Sequence, residues 1–153
     1  MAGIVGLTEL QHTSGNSAMT VDTSGNLTIK TGTTTIKGEG TNTTNLQQGI
    51  SKSWCRWESI GTASVLDSFN HSSMTDNGTG DQSITITTAM ANTTYAHVGM
   101  AGGGSTNLAT IQQQQGTGAH EATTTVQRYE TVYANGSLYD WNSINASLFG
   151  DLA

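Results

Sequence analysis

Apolar side chains in this sequence arrive singly, at every second position, in short segments separated by Gly, Asn, Ser and Asp. Successive side chains of a strand point to opposite sides, so this spacing describes strands with one dry face and one wet face. Gln82-Ser83-Ile84-Thr85-Ile86-Thr87-Thr88 places Ile84 and Ile86 on one side and Ser83, Thr85 and Thr87 on the other. Met19 with Val21, and Leu27 with Ile29, repeat the spacing. No long window carries a clean 3.6-residue period, and strong helix formers are sparse. The 153 residues include 19 Gly and no Pro, so turns depend on Gly, Asn, Asp and Ser, which supply the backbone angles that tight hairpins need. The expected fold class is all-β.

Hydrophobic residues make up 34 % of the chain and charged residues 10 %, with Thr, Ser, Asn, Gln and Gly filling the deficit. A disordered chain would be richer in charge, and Thr favours a pleated, half-wet surface. A chain of this length must still bury enough apolar surface to offset its conformational entropy. Strands with one or two apolar residues each often find that surface between subunits, so an oligomer is expected.

The first third is organised as an echo. Thr13-Ser14-Gly15-Asn16 returns ten residues later as Thr23-Ser24-Gly25-Asn26, each followed by a short alternating segment. This describes a β-meander, shaft-like, that cannot bury itself. Three copies about an axis could do so with Met19, Val21, Leu27, Ile29 and Ile36 pointing inward as the oligomer interface. Residues 38 to 49 are polar and Gly-rich and read as a linker. The expected division is therefore 1–49, an attachment segment with its linker, and 50–153, a compact antiparallel β-sandwich.

In the second part, Ile50, Lys52, Trp54 and Arg56 fall on one face of a strand, with Cys55 and Trp57 on the other. Thr62 to Asn70 reads as a strand with Val65, Asp67 and Phe69 opposite Leu66. Asn77-Gly78 and Asn135-Gly136 are strong hairpin signals. Ala96, Val98 and Met100 oppose Tyr95 and His97, and Val126, Arg128 and Glu130 oppose Thr125, Gln127, Tyr129 and Thr131. The tail from Ser137 reads as a last strand with an irregular or helical end. About seven short strands spaced about 8 to 12 residues apart indicate a sandwich.

Two segments resemble known proteins. Asn16-Ser17-Ala18-Met19-Thr20-Val21-Asp22-Thr23-Ser24-Gly25-Asn26-Leu27-Thr28 is similar to short elements of tailed-bacteriophage fibre and appendage proteins, marine ones in particular. Ser53-Trp54-Cys55-Arg56-Trp57, Asp67-Ser68-Phe69-Asn70, Thr75-Asp76-Asn77-Gly78-Thr79-Gly80-Asp81 and Thr88-Ala89-Met90 resemble a C-terminal β domain of virion proteins of the same phages. Those proteins often carry Pro after the Met, where this chain has Ala91. Together the resemblances cover most of residues 13 to 100. They imply a structural virion protein, a homotrimeric short fibre or capsid decoration on the particle surface, made in the host cytoplasm. The expected partners are the chain itself and major capsid or tail proteins. A large anchoring domain and long shaft do not fit in this length, which favours the short forms. The alternative is a head- or tail-fibre module that binds a host receptor or cell-surface glycan.

The residue chemistry is consistent with this. The net charge is −6, and Lys30, Lys37, Lys52, Arg56 and Arg128 do not cluster, so a nucleic-acid partner is not expected. The apolar start, with Ile4, Val5 and Leu7, has no basic leader pattern and is too short to cross a membrane; it is the candidate particle-attachment segment. Cys55 is the only cysteine, so no intrachain disulfide forms. His12, His71, His97 and His120 lack metal-ligand spacing, with His97 the candidate for a ring of three on an axis. The Asp76 to Asp81 loop lacks the ligand order of a calcium hand. No Gly-x-Ser-x-Gly elbow is present and the acids lie mainly in turns, so neither catalysis nor a cofactor is expected. Trp57, Tyr95 and Tyr129 are the candidate glycan contacts, through ring stacking.

Overall fold

The computed structural model describes residues 9–11, 17–29, 35–37, 43–45, 49–103, 109–113 and 122–153. Every described element is a β-strand. Internal contacts divide the chain into Met1–Gln47 and Gln48–Ala153.

In the first unit, β1 (Glu9–Gln11), β2 (Ser17–Val21) and β3 (Leu27–Ile29) form an antiparallel sheet in that order. β4 (Thr35–Lys37) pairs with β5 (Thr43–Asn45). Asp22 builds the turn between β2 and β3. Its Oδ1 accepts the backbone N–H groups of Ser24 (2.8 Å) and Asn26 (2.9 Å), and its Oδ2 accepts Asn26 Nδ2 (2.9 Å). These bonds favour the charged form and hold the Asp22 carboxyl below its ordinary range, the Asn26 side chain contributing most. Gly25 takes φ +84°, which a side chain would resist. Register places Met19 against Ile29 and Val21 against Leu27.

The second unit contains β6 (Ser53–Glu58), β7 (Ser64–Phe69), β8 (His71–Gly78), β9 (Asp81–Ile86), β10 (Ala96–Gly102), β11 (Ala109–Gln113), β12 (Val126–Tyr133) and β13 (Ser143–Phe149). They form two antiparallel four-stranded sheets, β10-β13-β6-β7 and β11-β12-β9-β8. The chain changes sheet between β7 and β8, β9 and β10, β10 and β11, and β12 and β13. The first and last strands of the unit pair at the centre of one sheet, with Trp57 opposite Ile144.

The core lies between the sheets. Cys55, Trp57, Ile84, Tyr129, Trp141, Ile144 and Ala146 form one cluster, and Ile86, Met90, Tyr95 and Leu148 a second. The β6 pattern follows its alternation, with Ser53, Cys55 and Trp57 buried and Arg56 exposed. β12 inverts the polarity expected of a core: Gln127, Tyr129 and Thr131 face inward. The polar groups of Gln127 and Thr131 are answered locally. Gln127 Nε2 donates to Thr123 O (3.0 Å) and to the Tyr95 hydroxyl, and Thr131 Oγ1 donates to Tyr139 O (2.7 Å). Trp141 is fixed by a reciprocal pair, Ser59 N to Trp141 O (2.8 Å) and Trp141 N to Ser59 Oγ (3.0 Å).

Two local expectations change. The Asn77-Gly78 pair is not the two-residue turn. β8 runs through it, Gly78 pairs with Asp81, and Thr79-Gly80 makes the turn. The register irregularity between Asp76 and Gly78 absorbs Asn77 as an extra residue. In β7 a second irregularity sets Trp57 against Val65 but Arg56 against Asp67, so Leu66 is the extra residue and Val65 leaves the face shared by Asp67 and Phe69. The tail forms the expected last strand, β13, followed by an irregular end with an isolated bridge between Met90 and Leu152. Asn135-Gly136 does turn the chain, with Gly136 N–H donating to Tyr133 O (2.8 Å) and Leu138 bridging back to Val132.

Candidate interaction surface

The two sheets present different faces to the outside. On β11-β12-β9-β8 most outward positions are polar. Arg128 grips the Asp81 carboxylate with two nitrogens, Nε to Oδ1 at 2.7 Å and Nη2 to Oδ2. That carboxylate raises the Arg128 pKa above its ordinary value. Gln112 Nε2 donates to Glu130 Oε2 across the strands at 2.7 Å. Ser73, Thr75, Ser83 and Thr85 lie on the same face by register, with Val126 opposite Thr85 and Val132 opposite Thr110.

On β10-β13-β6-β7 the outward rows read Phe69–Trp54–Ser147–Val98 and Asp67–Arg56–Asn145–Met100. Phe69 is 53 % exposed, Val98 63 % and Met100 69 %. Beside this face, at the side where edge strands β10 and β11 meet, lies an open groove of about 250 Å³ lined by Gly99, Met100, Ala101, Ala109, Thr110 and Ile111. The enclosed cavity between the sheets, bounded by Cys55, Ile84, Gln127 and Tyr129 among others, is about 10 Å³, roughly one water probe.

The expected glycan contacts require correction. Trp57 (0 % exposed), Tyr129 (2 %) and Tyr95 (9 %) are buried between the sheets. Trp57 and Tyr129 pack ring on ring with centroids 5.8 Å apart. Burial pushes the Tyr95 hydroxyl up to about 12 and the Tyr129 hydroxyl higher still. The outward aromatics on this sheet are instead Trp54 and Phe69. Trp54 and Trp57 lie on opposite faces of β6, as the alternation requires, and Trp57 is the inward one.

His97 lies on edge strand β10 and packs its ring edge-on to Tyr129 (6.2 Å), on the side of the sheet away from Val98 and Met100. Among the described residues no group of three or more His, Cys, Asp or Glu is gathered to hold a metal. Cys55 is buried, and burial alone pushes its thiol up to about 12, so it is held as the neutral thiol.

In the first unit Val21 (41 %), Leu27 (55 %) and Ile29 (45 %) are exposed and Met19 is half-buried. Ile36 lies in β4, outside the described side chains, and Ile4, Val5 and Leu7 lie outside the described residues. Among the described residues no helix is long and apolar enough to cross a membrane. The chain matches no family model, no curated protein and no solved structure.

Proposed function

We propose that this chain is a structural protein of a tailed-phage particle: a homotrimeric short fibre or capsid decoration on the particle surface, acting by assembly and attachment and not by catalysis. The observation that carries the reading is the β2–β3 hairpin. It sets Val21 opposite Leu27 and Met19 opposite Ile29, yet leaves Val21, Leu27 and Ile29 each more than 40 % exposed. Each apolar side chain of this size is worth about 1.5 to 3 kcal/mol on full burial. Further copies of the same hairpin supply the missing surface without a new sequence. The similarity of residues 16–28 and of the segments between 53 and 90 to phage appendage proteins supports the same reading.

Light scattering on the purified chain tests it. The expected mass is three times 15.9 kDa. A mass of 15.9 kDa at all concentrations removes the trimer.

A further inference from the structure

We infer that a second copy of this chain covers the outer face of sheet β10-β13-β6-β7, with Val98 and Met100 at the contact and Arg56 of one copy against Asp67 of the next. The inference rests on the self-assembly proposed above and names the surface that the sandwich contributes to it.

Four observations converge. The first is the contrast between the two outer faces. One carries the Arg128–Asp81 pair, the Gln112–Glu130 bond and a field of Ser and Thr. The other carries Phe69, Trp54, Val98 and Met100 in adjacent cross-strand rows. Exposed apolar residues scattered singly are ordinary; here they gather on one sheet face as two pairs, Phe69 beside Trp54 and Val98 beside Met100, with the small polar Ser147 and Asn145 of β13 between them.

The second concerns the edges. Exposed edge strands are normally guarded by bulges, charges or Pro. β7 has a bulge at Leu66, and β8 has two register irregularities. β10 has neither device, and of the other edges of the sandwich only the five-residue β11 shares that lack. Its seven residues pair with β13 in unbroken register, and Ala96–Gly102 contains no Lys, Arg, Asp, Glu or Pro. Its free backbone edge and its two most exposed apolar side chains lie together.

The third is charge. Arg56 is exposed and forms no ion pair among the described residues. Its cross-strand neighbour is Asp67, whose Oδ1 accepts the Ser68 N–H at 2.9 Å. One cation and one anion side by side on this face let copies about a threefold axis set the Arg56 of each against the Asp67 of the next. A polyanion would need an excess of cations, which this face does not have.

The fourth is area. Four strands about 4.8 Å apart and seven residues long at about 3.4 Å span roughly 400 Å² in projection. That is about half of the roughly 800 Å² per partner of a standard interface. The face therefore contributes to an assembly that other surfaces complete, and the exposed Val21, Leu27 and Ile29 are such a surface.

Peroxide footprinting of the full-length protein tests this, because Met100 is 69 % exposed in the single chain and Met90 is 1 % exposed. Peroxide transfers one oxygen to the thioether, giving sulfoxide and water. Met100 is expected to oxidise at least about tenfold more slowly than methionine in an unfolded peptide. Val98→Glu, at a side chain that the fold leaves outside, is expected to restore fast Met100 oxidation with the circular dichroism unchanged. Ser73→Glu on the polar face is expected to leave Met100 protected. Fast Met100 oxidation in a trimer overturns the inference and leaves self-assembly standing through other surfaces. A monomeric mass overturns both. Met100 that becomes protected only when a bacterial surface polysaccharide is added would give the face to a glycan and overturn the second-copy contact.

Discussion

Asn70 stands where the chain leaves one sheet for the other. It is the one non-Gly residue with positive φ (54°) among the described residues. Its side chain stitches the corner: Nδ2 donates to Lys52 O (2.9 Å) and Thr88 O (3.1 Å), and Oδ1 accepts Thr88 N–H (2.7 Å). Asn tolerates the left-handed region better than other residues with a Cβ. Asn70→Ala should therefore lose both the bonds and the backbone tolerance, at about 2 to 4 kcal/mol. Asn70→Gly should lose the bonds alone and be less destabilised, by about 1 kcal/mol. Urea unfolding of both variants measures the difference. The next residue makes a pH prediction. Desolvation lowers the His71 pKa below its ordinary 6.5, opposed by a bond to the Ser73 backbone, and its buried Nε2 has no hydrogen-bond partner. The unfolded chain thus takes up this proton before the folded one does. The stability tied to neutral His71 is present above pH 6.5 and is lost as pH falls from there through the lowered folded value. His71→Gln should flatten that part of the profile, read from urea midpoints between about pH 7.5 and 5. Neither role was visible in the sequence. An Asn before a His has no signature until a corner forces the chain to turn and brings Lys52 and Thr88 to it.

At the scale of elements, the alternation located most strands and their faces. Ile84 and Ile86 do point inward, and Cys55 and Trp57 do lie opposite Arg56. Bulges were not legible, because an extra residue in one strand is defined only by the partner that skips it. Asn77-Gly78 carried the stronger turn signal, yet the turn falls at Thr79-Gly80. Gly80 has φ +65°, and a Cβ there would lie 2.6 Å from both Thr131 O and Tyr139 N. Those atoms belong to β12 and the segment after it, so crowding by distant chain places the glycine. Gly80→Ala should destabilise by more than about 3 kcal/mol, combining left-handed strain with that collision. Gly136→Ala meets open space at φ +82° and should cost only about 1 to 2 kcal/mol. Thermal unfolding of the two variants separates crowding from backbone strain.

For the whole molecule, the trimer mass carries a thermodynamic companion. If folding and association are linked, the melting temperature should rise with protein concentration, and a flat dependence over a hundredfold range would count against assembly. An all-β chain, about ten residues per strand and turn, and a change of texture after the polar stretch 38–49 follow from alternation, Gly and Asn placement and low charge. These are local properties of the sequence and survive any tertiary arrangement. Where both faces of a strand carry apolar or aromatic side chains, which one turns inward was decided by packing. Trp57, Tyr95 and Tyr129 carry the same chemistry as Trp54, and only the second sheet closing over one side made three of them core and left the fourth at the surface. The same closure gave Gln127 and Thr131 buried partners and left Val98 and Met100 outside. Alternation assigns side chains to two faces, but it carries no sign; the sign comes from contacts between residues far apart in the chain.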